Sequence, residues 1–310
     1  MQYWPAAEIT PPTAEANLLE SMKAPKFSYV RAESVAQVLE LLDRHRDDAR
    51  ILAGGQSLMP TLNMRLSQPR LLVDINGLEA LKGISLKGNK LRIGALTRHV
   101  EVANSPLVAQ HLPLIAEAMP HVAHVAVRNR GTFGGSIALA DPAAEMPACA
   151  LALSATLVVQ SKAGLREIAA KDYFKGLYET ARRPDELLVE ALIPMQRASG
   201  TSVFLELARR HGDFAIAGVA FQLLIERGTV TDAQLVYFGS EDKPTLAASA
   251  IAAIQGKPLN MQYRDAAAAA LAGDLSPMSN AQGSAKLRLH LQRVLTKRAL
   301  DTALQRTKAA

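Results

Sequence analysis

Residues 51–59 read Ile-Leu-Ala-Gly-Gly-Gln-Ser-Leu-Met, and residues 131–136 read Gly-Thr-Phe-Gly-Gly-Ser. Each glycine pair follows an apolar run and precedes a stretch with helical spacing, which is typical of a loop between two elements. Paired glycines permit positive φ and a close backbone approach, so that N–H groups can hold an anion. Neither pair is followed by the Lys-Ser/Thr of a Walker loop, which favours a dinucleotide over a hydrolysable triphosphate.

The residues around the first glycine pair predict a β-α-β-α-β unit. Helical spacing of apolar residues begins after Ser34, which can cap the helix, and again at Leu58. Strands are predicted at 27–30, 51–53 and 71–75, and helices at 35–42 and 58–66. The dipeptide Asn76-Gly77 then indicates a turn.

After residue 78 the predicted strands and helices follow each other in a different order. A hairpin is predicted at 84–93, helices at 107–118 and 145–153, and strands at 156–159, 165–168 and 187–193. After a linker at 197–200 come three strand patterns, at 201–207, 218–226 and 233–238, followed by helical segments. Strands and helices segregate here, so the predicted fold class is α+β. The predicted divisions are a flexible extension at 1–21, two compact parts at 22–78 and 79–196, and a C-terminal domain at 200–308.

Composition excludes several classes of function. The chain has 310 residues and a net charge of +6, but its 35 basic residues are interleaved with 29 acidic ones, so no nucleic-acid partner is expected. Its single cysteine, Cys149, excludes an intramolecular disulfide and an iron–sulfur cluster held by cysteines of this chain alone. The sequence has no leader pattern and no apolar run of about 18 residues, so we expect a cytoplasmic protein without a membrane span.

The segment 51–66, ILAGGQSLMPTLNMRL, together with 128–136, RNRGTFGGS, resembles the FAD-binding subunit of molybdenum hydroxylases. This family includes the medium subunit of carbon monoxide dehydrogenase and the flavin domain of xanthine dehydrogenase. Its further motifs occur in order along this chain, at residues 141–147, 172–174, 185–188 and 209–215. The resemblance implies a two-part FAD-binding domain of the vanillyl-alcohol-oxidase-like (PCMH) type. A small C-terminal α+β domain with a three-stranded sheet and helices would follow it.

The resemblance also implies where FAD is held. The two loops would bind the pyrophosphate and the adjoining ribityl chain, and Val122 and Ala123 would lie along the cofactor. Glu145 would accept a hydrogen bond from a cofactor hydroxyl, although it can also simply cap its helix. Leu188 would pack on the flavin, and Phe214, where some relatives have Tyr, would lie near the isoalloxazine or serve only in core packing. The implied cofactor residues are Ile51, Leu52, Ala53, Gly54, Gly55, Gln56, Ser57, Leu58, Met59, Val122, Ala123, Thr132, Phe133, Gly134, Gly135, Ser136, Glu145, Leu188 and Phe214.

The function implied is that of an oxidoreductase subunit that transfers electrons through non-covalent FAD. The molybdenum cofactor would belong to a large subunit and the [2Fe-2S] clusters to a small one, in a dimer of heterotrimers. Electrons would leave the flavin for an external acceptor, and no catalytic residue is expected in this chain. Two alternatives stay open, namely a self-contained flavoenzyme of the vanillyl-alcohol-oxidase-like group and a nucleotide-binding scaffold without a redox role.

Two further residue patterns have simpler interpretations. His121 and His124 are three positions apart, but no third ligand lies nearby in the sequence, so a structural role is favoured and no metal site is expected. Cys149 lies in an apolar helical context without basic neighbours, which predicts an inert buried thiol.

Overall fold

The structure is a computed structural model that describes residues 24–197 and 199–309. The extension predicted at residues 1–21 lies outside the described residues. The described chain forms three main sheets, each with its own apolar core.

The first part is a parallel sheet with the strand order β1-β3-β2. Its strands and helices are β1 Ser28–Arg31, α1 Val35–His45, β2 Ala49–Leu52, α2 Leu58–Asn63 and β3 Leu71–Asp74. The predicted β-α-β-α-β order is confirmed, and so is the cap, since the Ser34 hydroxyl accepts a hydrogen bond from the Gln37 N–H at 3.2 Å. Helix α1 buries Val38, Leu39 and Leu42. Because β2 and β3 are parallel, the glycine loop after β2 and the polar residues after β3 emerge at the same edge.

The second part is an antiparallel sheet with the strand order β4-β5-β10-β6-β7. Its strands are β4 Ile84–Lys87, β5 Lys90–Gly94, β6 Thr156–Ser161, β7 Gly164–Ala169 and β10 Leu187–Pro194. A small hairpin is formed by β8 Phe174–Gly176 and β9 Glu179–Thr180. The helices are α3 His99–Ala103, α4 Pro106–His111, α5 Pro113–Ala118, α6 Val125–Arg128, α7 Phe133–Leu139, α8 Glu145–Ala152 and α9 Ala170–Tyr173. Pro113 begins a new helix because a proline is tolerated in the first turn but not in a helix interior.

The C-terminal sheet has four strands, not the three that were predicted. They are β11 Gly200–Leu207, β12 Ala217–Glu226, β13 Thr229–Phe238 and β14 Thr245–Leu246. The fourth strand pairs only two residues with β13, which is too short to produce a visible alternation of polar and apolar residues. Three helices follow, α10 Ala248–Ile254, α11 Met261–Asp274 and α12 Ala285–Ala309.

Helix α12 faces the sheet with polar as well as apolar residues. Arg288, Gln292 and Thr296 are each at most 2% exposed. Gln292 Nε2 donates to the Phe238 carbonyl at 3.0 Å, which supplies a donor where β13 ends. Within the described ranges, no helix is long and apolar enough to cross a membrane.

Candidate cofactor-binding site

The first glycine loop borders a cleft at the carboxyl ends of β2 and β3. The cleft has a volume of about 470 Å³ and is lined by loop residues 52–56 and by Asp74, Asn76 and Arg130, among others. Gly55 has a φ of +73°, and its carbonyl accepts the Met59 N–H at 3.0 Å, which closes the first turn of α2. Clefts outside the carboxyl ends of parallel strands are common ligand sites.

The two glycine loops touch each other at Gly54. A Cβ atom at this position would lie 2.5 Å from the Arg130 carbonyl oxygen and 2.8 Å from the Gly131 Cα. Only glycine permits this separation, because both neighbours are backbone atoms that cannot rotate away. The structure therefore brings the two predicted loops to one cleft.

The second glycine pair, Gly134-Gly135, lies in the first turn of helix α7 and not in a loop as predicted. We keep the name second loop for residues 130–136, whose amides are bonded within the protein. The Phe133 N–H donates to the Thr97 carbonyl at 2.9 Å, and the Gly134 N–H donates to the Ala95 carbonyl at 2.9 Å. The Gly135 N–H donates to the Thr132 hydroxyl at 3.0 Å. The expectation that the amides of this loop serve an anion therefore does not hold for these three, because the neighbouring segment 95–97 and the helix cap already use them.

A polar network connects the two loops, and the sequence pattern did not single it out. Asn76 Nδ2 donates to the Ala53 carbonyl at 2.8 Å and to Asp74 Oδ1 at 2.7 Å. Arg98 Nη2 donates to Asn76 Oδ1 at 2.6 Å, and its Nη1 donates to the Arg130 carbonyl. The only signal was Asn76-Gly77, which indicated a turn.

A second group of predicted residues lies at the turn before α6. Ala123 has a φ of +43°, and Arg128 Nη1 stabilises this turn by donating to the Val122 and Ala123 carbonyls at 2.8 and 2.9 Å. A Cβ atom at Gly212 would lie 3.0 Å from the Ala123 carbonyl oxygen, so the loop that leads to Phe214 packs against the same turn. Phe214 itself is 59% exposed, so its ring is not part of the core.

Three carboxyl groups near the start of α8 have perturbed acidity. Burial raises the pKa of Glu145 to about 7, and the charge of Asp141 adds to this rise against a hydrogen bond from the Glu145 amide. Burial, followed by the charge of Glu145, raises the pKa of Glu206 to about 8. Burial also raises the pKa of Asp141, whose Oδ2 accepts a hydrogen bond from the Tyr178 hydroxyl at 3.2 Å. Glu145 and Glu206 can therefore retain protons near neutral pH, unlike exposed carboxylates.

The remaining residues of interest lie in the interior. Leu188 is 4% exposed within the core of the second part, and its contact with the flavin stays a prediction. His121 packs between Phe204 and His211, at ring-centroid distances of 5.2 and 6.0 Å, which agrees with a structural role. Cys149 is fully buried, and burial raises its pKa, so the prediction of a buried thiol is confirmed. Among the described residues, no three His, Cys, Asp or Glu residues are grouped closely enough to hold a metal ion.

The cleft fits a dinucleotide in two respects. Gly54 provides a close approach of two backbones that a larger residue would block. The cleft combines backbone atoms with the cationic Arg130, which suits a diphosphate.

Comparison with known proteins assigns the chain and its fold to a family. Residues 25–196 match the family described as the FAD binding domain in molybdopterin dehydrogenase. Residues 202–303 match the carbon monoxide dehydrogenase flavoprotein C-terminal domain. The chain belongs to the family of FAD-binding flavoprotein subunits of molybdenum hydroxylases, and it is an oxidoreductase subunit with FAD as its cofactor.

Individual relatives are similar over nearly the whole chain. The chain is 40% identical over 288 residues to the 6-hydroxypseudooxynicotine dehydrogenase complex subunit alpha of Paenarthrobacter nicotinovorans, covering 93% of this chain and 97% of that one. Its structure is similar to carbon monoxide dehydrogenase from Hydrogenophaga pseudoflava, with a TM-score of 0.90, 35% identity and 92% and 99% coverage of the two chains. Quinoline 2-oxidoreductase from Pseudomonas putida 86 gives a TM-score of 0.87, 38% identity and 92% and 99% coverage.

Proposed function

We propose that this chain carries electrons out of a heterotrimeric molybdenum hydroxylase through its FAD. Substrate is oxidised on a large subunit that holds the molybdenum cofactor, and a small subunit with [2Fe-2S] clusters delivers the electrons to this chain. The flavin then passes them to an external acceptor. The observation that carries the proposal is the contact of the two glycine loops at Gly54, beside a cleft that the first loop and Arg130 line and that has room for part of a dinucleotide.

The cysteine content of the chain supports the assignment of the iron–sulfur clusters to another subunit. Its one cysteine is fully buried, so the chain alone cannot supply the cysteine ligands of a cluster. Two relatives are named as a complex subunit alpha and a medium chain, which describe parts of larger assemblies. We extend this to a dimer of heterotrimers in the cytoplasm, and we retain residues 22–78 and 79–196 as the two FAD-binding parts and 200–308 as the C-terminal domain.

FAD supplies the redox chemistry when it is bound, because it can accept two electrons from one-electron donors. The chain's own contribution is to bind and orient it. Loop residues 51–59 and 132–136 would surround the diphosphate and ribityl chain, while Val122 and Ala123 would border the ring system. Glu145 would exchange a hydrogen bond with a cofactor hydroxyl, and Phe214, which is exposed, would cover a ring face.

Purification of the native complex from its source tests this proposal. We expect two partner subunits to co-purify, one with a molybdenum cofactor and one with iron–sulfur clusters, and the flavin to be bleached when the complex oxidises its substrate. The isolated full chain should show oxidised flavin bands and bleach only with an added reductant. If the isolated chain oxidises an organic substrate by itself, the self-contained flavoenzyme is correct, and if it binds no flavin, both redox functions are wrong.

A further inference from the structure

The guanidinium group of Arg98 lies between the two glycine loops. It donates from Nη1 to the Arg130 carbonyl of the second loop and from Nη2 to Asn76 Oδ1 at 2.6 Å. Asn76 in turn donates to the Ala53 carbonyl of the first loop at 2.8 Å. One cation is thus bonded directly to one loop and through a single side chain to the other.

Asn76 is itself held by Asp74, in a set of partly exposed hydrogen bonds. Its backbone N–H donates to Asp74 Oδ1 at 2.8 Å, and the Tyr29 hydroxyl donates to Asp74 Oδ2 at 2.5 Å. Asp74 lies at the end of β3, directly opposite Leu52 at the end of β2. The position of Arg98 relative to the cleft is therefore determined by the edge of the parallel sheet.

Arg130 lines this cleft together with one carboxylate, Asp74, and Arg98 bonds to two of the lining residues, Asn76 and Arg130. In the part of the chain that the structure describes, neither guanidinium forms an ion pair with a carboxylate within 4.0 Å. Glu101 accepts the backbone N–H of Arg98 at 2.6 Å, not its side chain. Burial, followed by the charge of Arg130, lowers the pKa of Arg98, while the charges of Glu101 and Asp74 act in the opposite direction. Two like charges held together in this way are stabilised when an anion enters between them.

The second loop has few other means of binding an anion. The amides of Phe133, Gly134 and Gly135 are already engaged by acceptors of the protein. Arginine has five N–H donors, and Arg98 uses one each on the Arg130 carbonyl and Asn76, so donors remain for a ligand. Arg130 is exposed and lines the cleft.

We propose that Arg98 and Arg130 form a diphosphate subsite for the FAD of this protein, with Asn76 as the positioning residue that holds Arg98 between the loops. The inference rests on the proposed function and deepens it, because it assigns the charge of the diphosphate to two side chains. Arg130 contacts the diphosphate from the mouth of the cleft. Arg98 contacts it from the junction of the loops and at the same time keeps the loops together.

The test compares variants of the full chain after removal of flavin and titration with FAD at several salt concentrations. Arg98→Gln and Arg130→Gln each remove one charge, Asn76→Ala removes the positioning contact, and Arg298→Gln is the control. Arg298 is an exposed arginine of helix α12, outside the residues that line the cleft. The flavin fluorescence gives the Kd, and thermal unfolding of each flavin-free variant reports its folding.

We expect Arg98→Gln to raise the Kd for FAD about tenfold or more, as for a lost hydrogen bond to a charged group. Arg130→Gln, at an exposed position, should raise it about fivefold. Both should make the Kd less dependent on salt, because one charge no longer takes part in binding. Asn76→Ala should raise the Kd and leave the salt dependence unchanged, and Arg298→Gln should change neither.

The outcomes separate this inference from the proposed function. If the wild-type chain binds FAD and both arginine variants keep its Kd within twofold, the subsite is wrong while the function stands. An unchanged salt dependence in the two arginine variants also overturns it, since their effect would then be structural. If Arg98→Gln does not fold, Arg130→Gln decides alone. A wild-type chain that does not bind FAD refutes the function and the subsite together.

Discussion

Replacing Glu145 with glutamine is expected to stabilise the flavin-free protein at alkaline pH and to affect it much less at acidic pH. Glu145 is 8% exposed at the start of helix α8, and burial raises its pKa to about 7 from an ordinary value of 4.5. In the unfolded chain the same carboxyl group ionises freely near its ordinary pKa. Folding therefore binds a proton between these two values, and glutamine resembles the protonated form without titrating.

The magnitude follows from the two pKa values. A difference of one pKa unit corresponds to about 1.36 kcal/mol, so the shift of Glu145 is worth roughly 3 kcal/mol. Because the pKa in the folded state is raised, the favourable contribution is complete below about pH 4.5 and is lost as the pH rises through about 7. Between pH 5 and pH 8.5 the advantage of Glu145→Gln over the wild type should grow by roughly 2–3 kcal/mol.

Urea unfolding of the flavin-free protein at both pH values measures this advantage. Glu226→Gln is a matched control because Glu226 is an exposed carboxylate at the end of β12. Its difference from the wild type should be the same at both pH values. An equal advantage of Glu145→Gln at pH 5 and pH 8.5, or a larger one at pH 5, would refute the assignment of a buried, protonated carboxyl group.

Three other perturbations have defined outcomes. Gly54→Ala should weaken FAD binding measurably in a flavin titration, at a cost of about 1–3 kcal/mol. The added Cβ would lie 2.5 Å from the Arg130 carbonyl oxygen and would force the two loops apart. Glu186→Gln should lower the free energy of unfolding by about 1–3 kcal/mol in urea, because Glu186 is 1% exposed and accepts hydrogen bonds from Arg166 Nη2 and the Arg183 N–H, each at 2.7 Å, while both arginine side chains stay in contact with water. Cys149 should not react with a thiol reagent until the protein unfolds, because its side chain is fully buried and burial raises its pKa.

Each of these outcomes has a control or a contrary result. Gly273→Ala is the control for Gly54, because nothing lies within 4 Å of its added Cβ and alanine favours a helix. Equal FAD affinities of the two alanine variants would contradict the close approach of the loops. If Glu186→Gln lowers the free energy of unfolding by less than about 1 kcal/mol, the contacts of Glu186 stabilise the fold no more than an exposed ion pair does. Fast labelling of Cys149 in the folded chain would disprove its burial.

Local sequence patterns predicted helices and strands well where apolar residues recur at a regular spacing over several positions. The β-α-β-α-β order of the first part and the cap at Ser34 follow from apolar spacing and side-chain chemistry within a few residues. The strand at 245–246 was missed because two residues show no period. In helix α12 the apolar Leu287 is 44% exposed, whereas its neighbour Arg288 is buried. A side chain that bonds to a strand end, as Arg288 does to the Gly239 carbonyl at 2.8 Å, cannot be recognised from hydrophobicity.

The cofactor site was likewise predicted only in part from the sequence. Both glycine loops could be recognised because glycine pairs have a specific conformational meaning, and an ordered series of motifs indicated the family. The contact between Arg98 and Asn76 spans 22 positions, and its partners are ordinary polar residues in any local window. The acidic Glu145 was recognised, but its neighbour Glu206 was not, because the two meet only when the C-terminal sheet packs on the FAD-binding part.

The amino-acid sequence alone determined the family, the FAD cofactor and the two glycine pairs, because these depend on residue types and their order. Only the tertiary structure decided that Gly54 touches the second loop, that three amides of that loop are already used, and that Arg98 bonds to Asn76 and Arg130, two residues that line the cleft. The physical reason is that hydrogen bonds, burial and charge proximity are set by distances in space. Residues far apart in the chain acquire those distances only when the strands and loops that carry them are packed together.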